Sequence, residues 1–133
     1  MGVSPPAEKR LLQSVVAVCS LVPIAAGAAG LAMGPAMIES AGGRDLDSHF
    51  RYLSGLLLGI GLLYATGVPG IERKRVRFLL LGAIVLIGGL GRLCSAIAEG
   101  APSPAMLAAL AMELAATPLL TLWQLRVARR AGA

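Results

Sequence analysis

Charge is what this chain has least of. Only 14% of its 133 residues are Asp, Glu, Lys or Arg, where a soluble domain carries about 25%. Hydrophobic residues make up 56% and the mean hydropathy is +0.77, so there is too little polar side chain to cover a core in water. An ordinary soluble domain is excluded. Cysteine and histidine are nearly absent too. One His and two Cys with no Cys-x-x-Cys spacing leave no metal or redox motif. Cys19 and Cys94 are expected at different depths, beyond the Cα separation of about 7 Å that a disulfide tolerates, and read as apolar core residues. No nucleophile–base arrangement is visible. The chain reads as non-enzymatic and free of cofactors.

What is present is four apolar blocks, each near the ~20 residues that cross a ~30 Å hydrocarbon layer. They predict an all-α integral membrane four-helix bundle, one domain over residues 1–133, with helices at about 11–33, 49–68, 78–98 and 105–125. The formal charge of +5 would suggest nucleic acid in a soluble protein. Here it follows the positive-inside bias. Lys9, Arg10, Arg73, Lys74, Arg75, Arg77, Arg126, Arg129 and Arg130 are nine of the twelve basic residues, and all flank the same ends of the blocks. The opposite ends carry Arg44 against Glu39, Asp45, Asp47 and Glu99. Both termini are therefore expected inside, on the cytoplasmic face of a multi-pass membrane protein. Its partners would be lipids, and other membrane subunits or a second copy, with no nucleic acid.

Met1–Ala7 reads as a polar lead. The first block resembles a signal peptide, with Lys9 and Arg10 as a basic start and small residues at Ala25–Gly30, but its apolar run continues well past the 7–15 residues of such a segment. Pro23, Gly27, Gly30 and Gly34 share one face, and Pro23 is expected to bend the helix. In the second block, capped by Asp47 or Ser48, Arg51, Gly55 and Gly59 share a face. Gly88, Arg92, Ser95 and Glu99 do so in the third, and Ala109, Glu113, Ala116 and Gln124 in the fourth. Pro118 is expected to kink that last helix, and Ser103 to cap it. Greasy side chains gain nothing by pairing in lipid, so the small and polar stripes should face inward. Gly27, Gly30, Gly55, Gly59 and Gly88 are the expected close-packing positions. Trp123 and Tyr64 read as members of the aromatic belt.

Two opposite charges at membrane depth are the chemistry that apolar packing does not explain. Arg92 stands about 9 Å below the end of its helix and Glu113 about 12 Å below the start of the next, at 1.5 Å per residue. Side chains lean toward the N-terminus of their own helix, and in consecutive antiparallel helices that lean brings the two together. An isolated charge there costs about 2.5–3.5 kcal/mol, which favours an Arg92–Glu113 pair. It reads either as a fastening that fixes helix register or as part of a site for a headgroup, small metabolite, proton or partner. Arg51 is either an interfacial anchor or a third member of that cluster. His49, Tyr52, Ser54 and Ser95 could line an outer pocket with Arg51, or be ordinary interfacial residues.

The run R-Y-L-S-G-L-L-L-G-I-G-L at Arg51–Leu62, then G-G-L-G-R-L-C-S at Gly88–Ser95, G-x-P at Gly100–Pro102 and Glu113 resembles a family of small bacterial four-helix membrane proteins. That family is known as a domain of unknown function (DUF4345) and is similar in architecture to the DoxX-like proteins. The resemblance implies the four-span topology and makes Arg51, Gly55, Gly59, Arg92 and Glu113 the characteristic positions. It implies no activity. DoxX-like proteins include members tied to redox complexes, but no cysteine pair or quinone motif carries that across. The expected role is an accessory or scaffold membrane component. The alternatives are a small-solute or proton path formed by an oligomer, and a protein that binds lipid or a small metabolite.

Overall fold

Helix follows helix with little between them in the computed structural model, which describes residues 5–38 and 43–132. Among the described residues there is no strand. The chain forms α1 (Pro5–Met33), a 3-10 turn (Gly34–Met37), α2 (Arg44–Ala65), a second 3-10 turn (Ile71–Arg73) and α3 (Arg75–Glu99). The last helix, α4, runs Pro104–Arg130. Three segments are long and apolar enough to cross a membrane, Pro5–Met37, α3 and α4. The second helix is not among them. Its opening turns hold Arg44, Asp45, Asp47, His49 and Arg51, and these dilute the apolar run that follows.

The ends of the helices differ from the sequence reading for local reasons. Residues 5–7 are helical rather than a polar lead, because Pro5 and Pro6 suit a first turn whose N–H groups are unbonded anyway. Glu8 then meets the positive end of the helix dipole. The second helix starts at Arg44, five residues before the expected His49, with Gly43 as its N-cap and no side-chain cap from Asp47 or Ser48. Asp45 and Asp47 lie in its first turn, where their charge is favourable. The first helix passes through Pro23 without interruption and stops at Gly34, whose φ of +63° suits glycine. Glu39 and Gly42, expected in the same connection, lie outside the described residues.

The chain divides into two compact units. The hairpin unit, Gln13–Pro69, contains most of α1 and all of α2. Its helices run antiparallel and meet where side chains are missing. A Cβ on Gly27 would stand 2.5 Å from the backbone nitrogen of Leu58, and one on Gly61 would stand 2.8 Å from that of Ile24. Gly30 leaves room for Ser54, which is buried and donates to the Phe50 carbonyl.

The terminal unit, Met1–Leu12 with Gly70–Ala133, contains the start of α1 and all of α3 and α4. Leu12, Ile71, Phe78, Leu81, Val127 and Ala128 form its core. Gly82 admits Thr121 from α4, and the buried Gln124 donates to the Ile71 carbonyl at 2.8 Å. The first half of α4, through Ala116, has no buried residue. Ile87, Ile97, Leu107 and Leu119 are exposed, an arrangement that water would penalise and hydrocarbon would not. Cys94 is exposed rather than in a core, and both cysteines are free.

Candidate functional site

Glycine and proline prepare the central contact of the terminal unit. In α4, residues Met112–Ala116 form a π-helical turn. Pro118 has no N–H, so the carbonyl four residues earlier loses its usual donor. The chain widens just before it, and the Thr117 N–H bonds to the Met112 carbonyl instead. The widened turn stands where the kink at Pro118 was expected. Glu113 lies in the widened turn, and Gly89 of α3 lets that turn approach. A Cβ at Gly89 would be 2.8 Å from the Glu113 Cβ and 2.9 Å from the Leu114 side chain.

One turn further along α3, Arg92 reaches across. Its Nε donates to Glu113 Oε2 at 2.9 Å and its Nη2 to Oε1 at 3.1 Å. The fork engages both carboxylate oxygens, the strongest and most directional form of this pair. Nη1 turns to Met106 Sδ at 3.0 Å. The pair is partly open, with 35% of the Arg92 side chain and 19% of the Glu113 side chain exposed.

Arg51 engages its own unit. It donates to Asp47 Oδ2 at 2.9 Å and to the carbonyl of Leu31. That carbonyl belongs to the last turn of α1, whose C=O groups lack helical partners. The guanidinium therefore closes a helix end, where a cation is also favoured by the dipole. Ser54 is directed into the helix contact, whereas His49 and Tyr52 of α2 are exposed. Ser95, in the terminal unit, is exposed as well.

The close-packing positions are partly displaced. Gly27 and Gly30 are at contacts, whereas Gly55 meets only Leu31 at an ordinary 3.7 Å and Gly59 and Gly88 have nothing within 4 Å. The approaches fall at Gly61, Gly82 and Gly89 instead. In a helix one residue is a rotation of about 100°, enough to turn Gly88 away while its neighbour makes the contact.

A second charged cluster was not anticipated. Glu8 is buried, accepts hydrogen bonds from Trp123 Nε1 at 3.2 Å and Arg130 Nη1 at 2.5 Å, and forms an ion pair with Arg126 Nε at 3.2 Å. Trp123 thus has an inward bond as well as its amphipathic ring. Nearby in sequence, Lys9 donates to Glu72 at 2.9 Å. This bond, and then one to the backbone of Glu72 itself, hold the Glu72 carboxyl below its ordinary 4.5. The sequence did offer a signal for Glu8, since Pro-Pro-x-Glu is a helix-start pattern. Its partners are more than a hundred residues away and offered none. Among the described residues no three His, Cys, Asp or Glu side chains are grouped to hold a metal.

Comparison with known families identifies the fold's kin. Residues 11–124 match the family model described as a domain of unknown function, DUF4345. The chain belongs to the DUF4345 family. No curated protein and no solved structure matches it. The matched span includes Arg51, Gly89, Arg92 and Glu113, so the bidentate pair lies within the DUF4345 region. Glu8, Arg126 and Arg130 lie beyond its two limits.

Proposed function

We propose that this DUF4345 protein is a multi-pass component of a bacterial cytoplasmic membrane, with both termini inside, acting as an accessory or scaffold and not as an enzyme. Its fourth crossing would be α2, whose polar start would lie at the outer interface and whose apolar remainder would enter the bilayer. Lipids surround it, and other membrane subunits or a second copy are its further partners. The observation that carries the reading is the Arg92–Glu113 fork. Both carboxylate oxygens are occupied, so the pair is arranged to hold α3 and α4 in register. Thermal unfolding in detergent tests this with Arg92→Glu, Glu113→Arg and the double exchange. Each single change should lower the melting temperature and the exchange should restore part of it. Singles that melt like the parent protein would sink the reading.

The π-helical turn supports a second reading, because such turns recur at functional sites. Glu113 would then relay protons or bind a small solute along a path built by an oligomer. Glu113→Gln in proteoliposomes should abolish a proton flux seen with the parent chain. A parent chain with no flux over empty liposomes rules that reading out.

A further inference from the structure

We infer that the turn entering α3 holds the phosphate of an anionic phospholipid headgroup. This rests on the membrane reading above, since a bilayer is what brings headgroups to the turn. Arg73, Lys74, Arg75 and Arg77 line an open groove of about 360 Å³, with Val76 as its apolar member. The Arg73 side chain is 83% exposed, and Arg75 and Val76 are exposed beside it. The acid of this turn, Glu72, is hydrogen-bonded by Lys9 at 2.9 Å and forms only a long ion pair with Arg73 at 3.9 Å, so one carboxylate is shared between two cations.

Several other basic residues of the terminal unit already face an acid. Arg126 and Arg130 have their charge met by Glu8. Among the described residues, Arg75 forms no ion pair, and the basic residues entering α3 outnumber the single acid next to them. The backbone adds to this excess. Lys74, the N-cap of α3, supplies no side-chain bond to the first-turn amides, and no acid occupies that turn. A helix N-terminus already carries positive partial charge, and Arg75 and Arg77 raise it further. An external anion relieves the positive excess at Arg75 and at the uncapped amides beside it. Phosphate suits it, because its oxygens accept the paired N–H groups of guanidinium. Val76 decides between free phosphate and lipid. It is exposed among cations, where the glycerol and first acyl carbons of a lipid would cover it and inorganic phosphate would not.

Native mass spectrometry of the 133-residue chain in detergent, with added phosphatidylglycerol or phosphatidylcholine, tests the site. The parent protein should retain phosphatidylglycerol about tenfold more strongly, as a few basic residues at a membrane surface provide. Arg73→Gln with Arg75→Gln should lose most of that preference. Arg10→Gln with Arg129→Gln removes the same charge elsewhere and should keep it, with circular dichroism showing both doubles equally helical. Three results would overturn the inference. They are equal losses from the two doubles, no headgroup preference in the parent, and displacement of phosphatidylglycerol by millimolar inorganic phosphate. The membrane reading fails separately. A chain that stays in solution after detergent removal and does not float with liposomes defeats both readings, whereas one that floats without a headgroup preference defeats the lipid site alone.

Discussion

The two units solve helix packing by opposite means. In the hairpin unit α1 and α2 approach because side chains are missing at Gly27, Gly30 and Gly61. Backbone lies against backbone, Ser54 satisfies itself on its own helix, and the charge that crosses, Arg51, acts at the end of α1 on a carbonyl. In the terminal unit the glycines make room for functional groups, Gly82 for Thr121 and Gly89 for the Glu113 turn. There the helices are tied by charges, Arg92 to Glu113 and Glu8 to Arg126 and Arg130. Close packing of small residues tolerates no added volume, whereas an ion pair tolerates volume but not loss of a partner. The two units should therefore fail under different substitutions.

The largest effect is expected from Gly27→Leu. The obstructing atoms are the Leu58 nitrogen and the Ser54 carbonyl oxygen, which cannot swing aside as a side-chain end would. Destabilisation of about 3 kcal/mol or more is expected, at the upper end of overpacking costs. Gly59→Ala is the matched control and should be neutral or slightly stabilising, since the position is open and Ala is the better helix former. Unfolding in detergent, followed by circular dichroism, compares them. Equal responses would erase the distinction drawn for the hairpin unit.

Next in size is Glu113→Ala, which leaves Arg92 without its acceptor. About 2 kcal/mol is expected, below the ~2.5–3.5 kcal/mol of an isolated central charge because part of the guanidinium is open. In α3, Gly88→Ala should do nothing, while Gly89→Ala should weaken the pair without removing either charge. If Gly89→Ala melts like the parent chain, the glycine does not set the approach of the Glu113 turn.

These contrasts mark where sequence reasoning stopped. The Arg92–Glu113 contact was legible because depth and lean follow from two constants of helix geometry, the rise per residue and the direction of Cα–Cβ. The helices themselves were legible from apolar runs. Which glycine of a pair faces a neighbour was not. Gly88 and Gly89 are adjacent and equally small, and only the partner's position distinguishes them. Glu8 was missed for another reason. Its charge reads as incidental in a basic start, and the chain must fold before Trp123, Arg126 and Arg130 surround it.

That cluster provides a smaller effect. Glu8→Gln keeps an acceptor for Trp123 but removes the charge between two arginines that are themselves about half exposed. About 1 kcal/mol is expected, as for exposed charge networks. The chain has a single Trp, so its fluorescence reads this end of the terminal unit alone. Glu8→Ala should shift the emission as the Trp123 Nε1 bond is lost, and Glu8→Gln should shift it little. A shift of equal size in both would mean that the carboxylate charge, not the bond, sets the indole environment.

The smallest expected effect depends on pH. The Lys9 hydrogen bond favours ionised Glu72, so its folded pKa lies below the ordinary 4.5. A depressed carboxyl pKa means that the unfolded chain binds the proton more readily. The bond therefore contributes fully above the unfolded value, and its contribution declines as pH falls past 4.5 and through the lower folded value. Glu72→Gln should melt somewhat below the parent chain at neutral pH, and the gap should close on acidification. Lys9→Gln should follow the same course, because it removes the other end of one interaction. Gly27→Leu should show no such convergence, since nothing in its contact titrates. A gap for Glu72→Gln that is constant with pH would assign Glu72 a packing role and leave the terminal unit less dependent on its charges than the comparison requires.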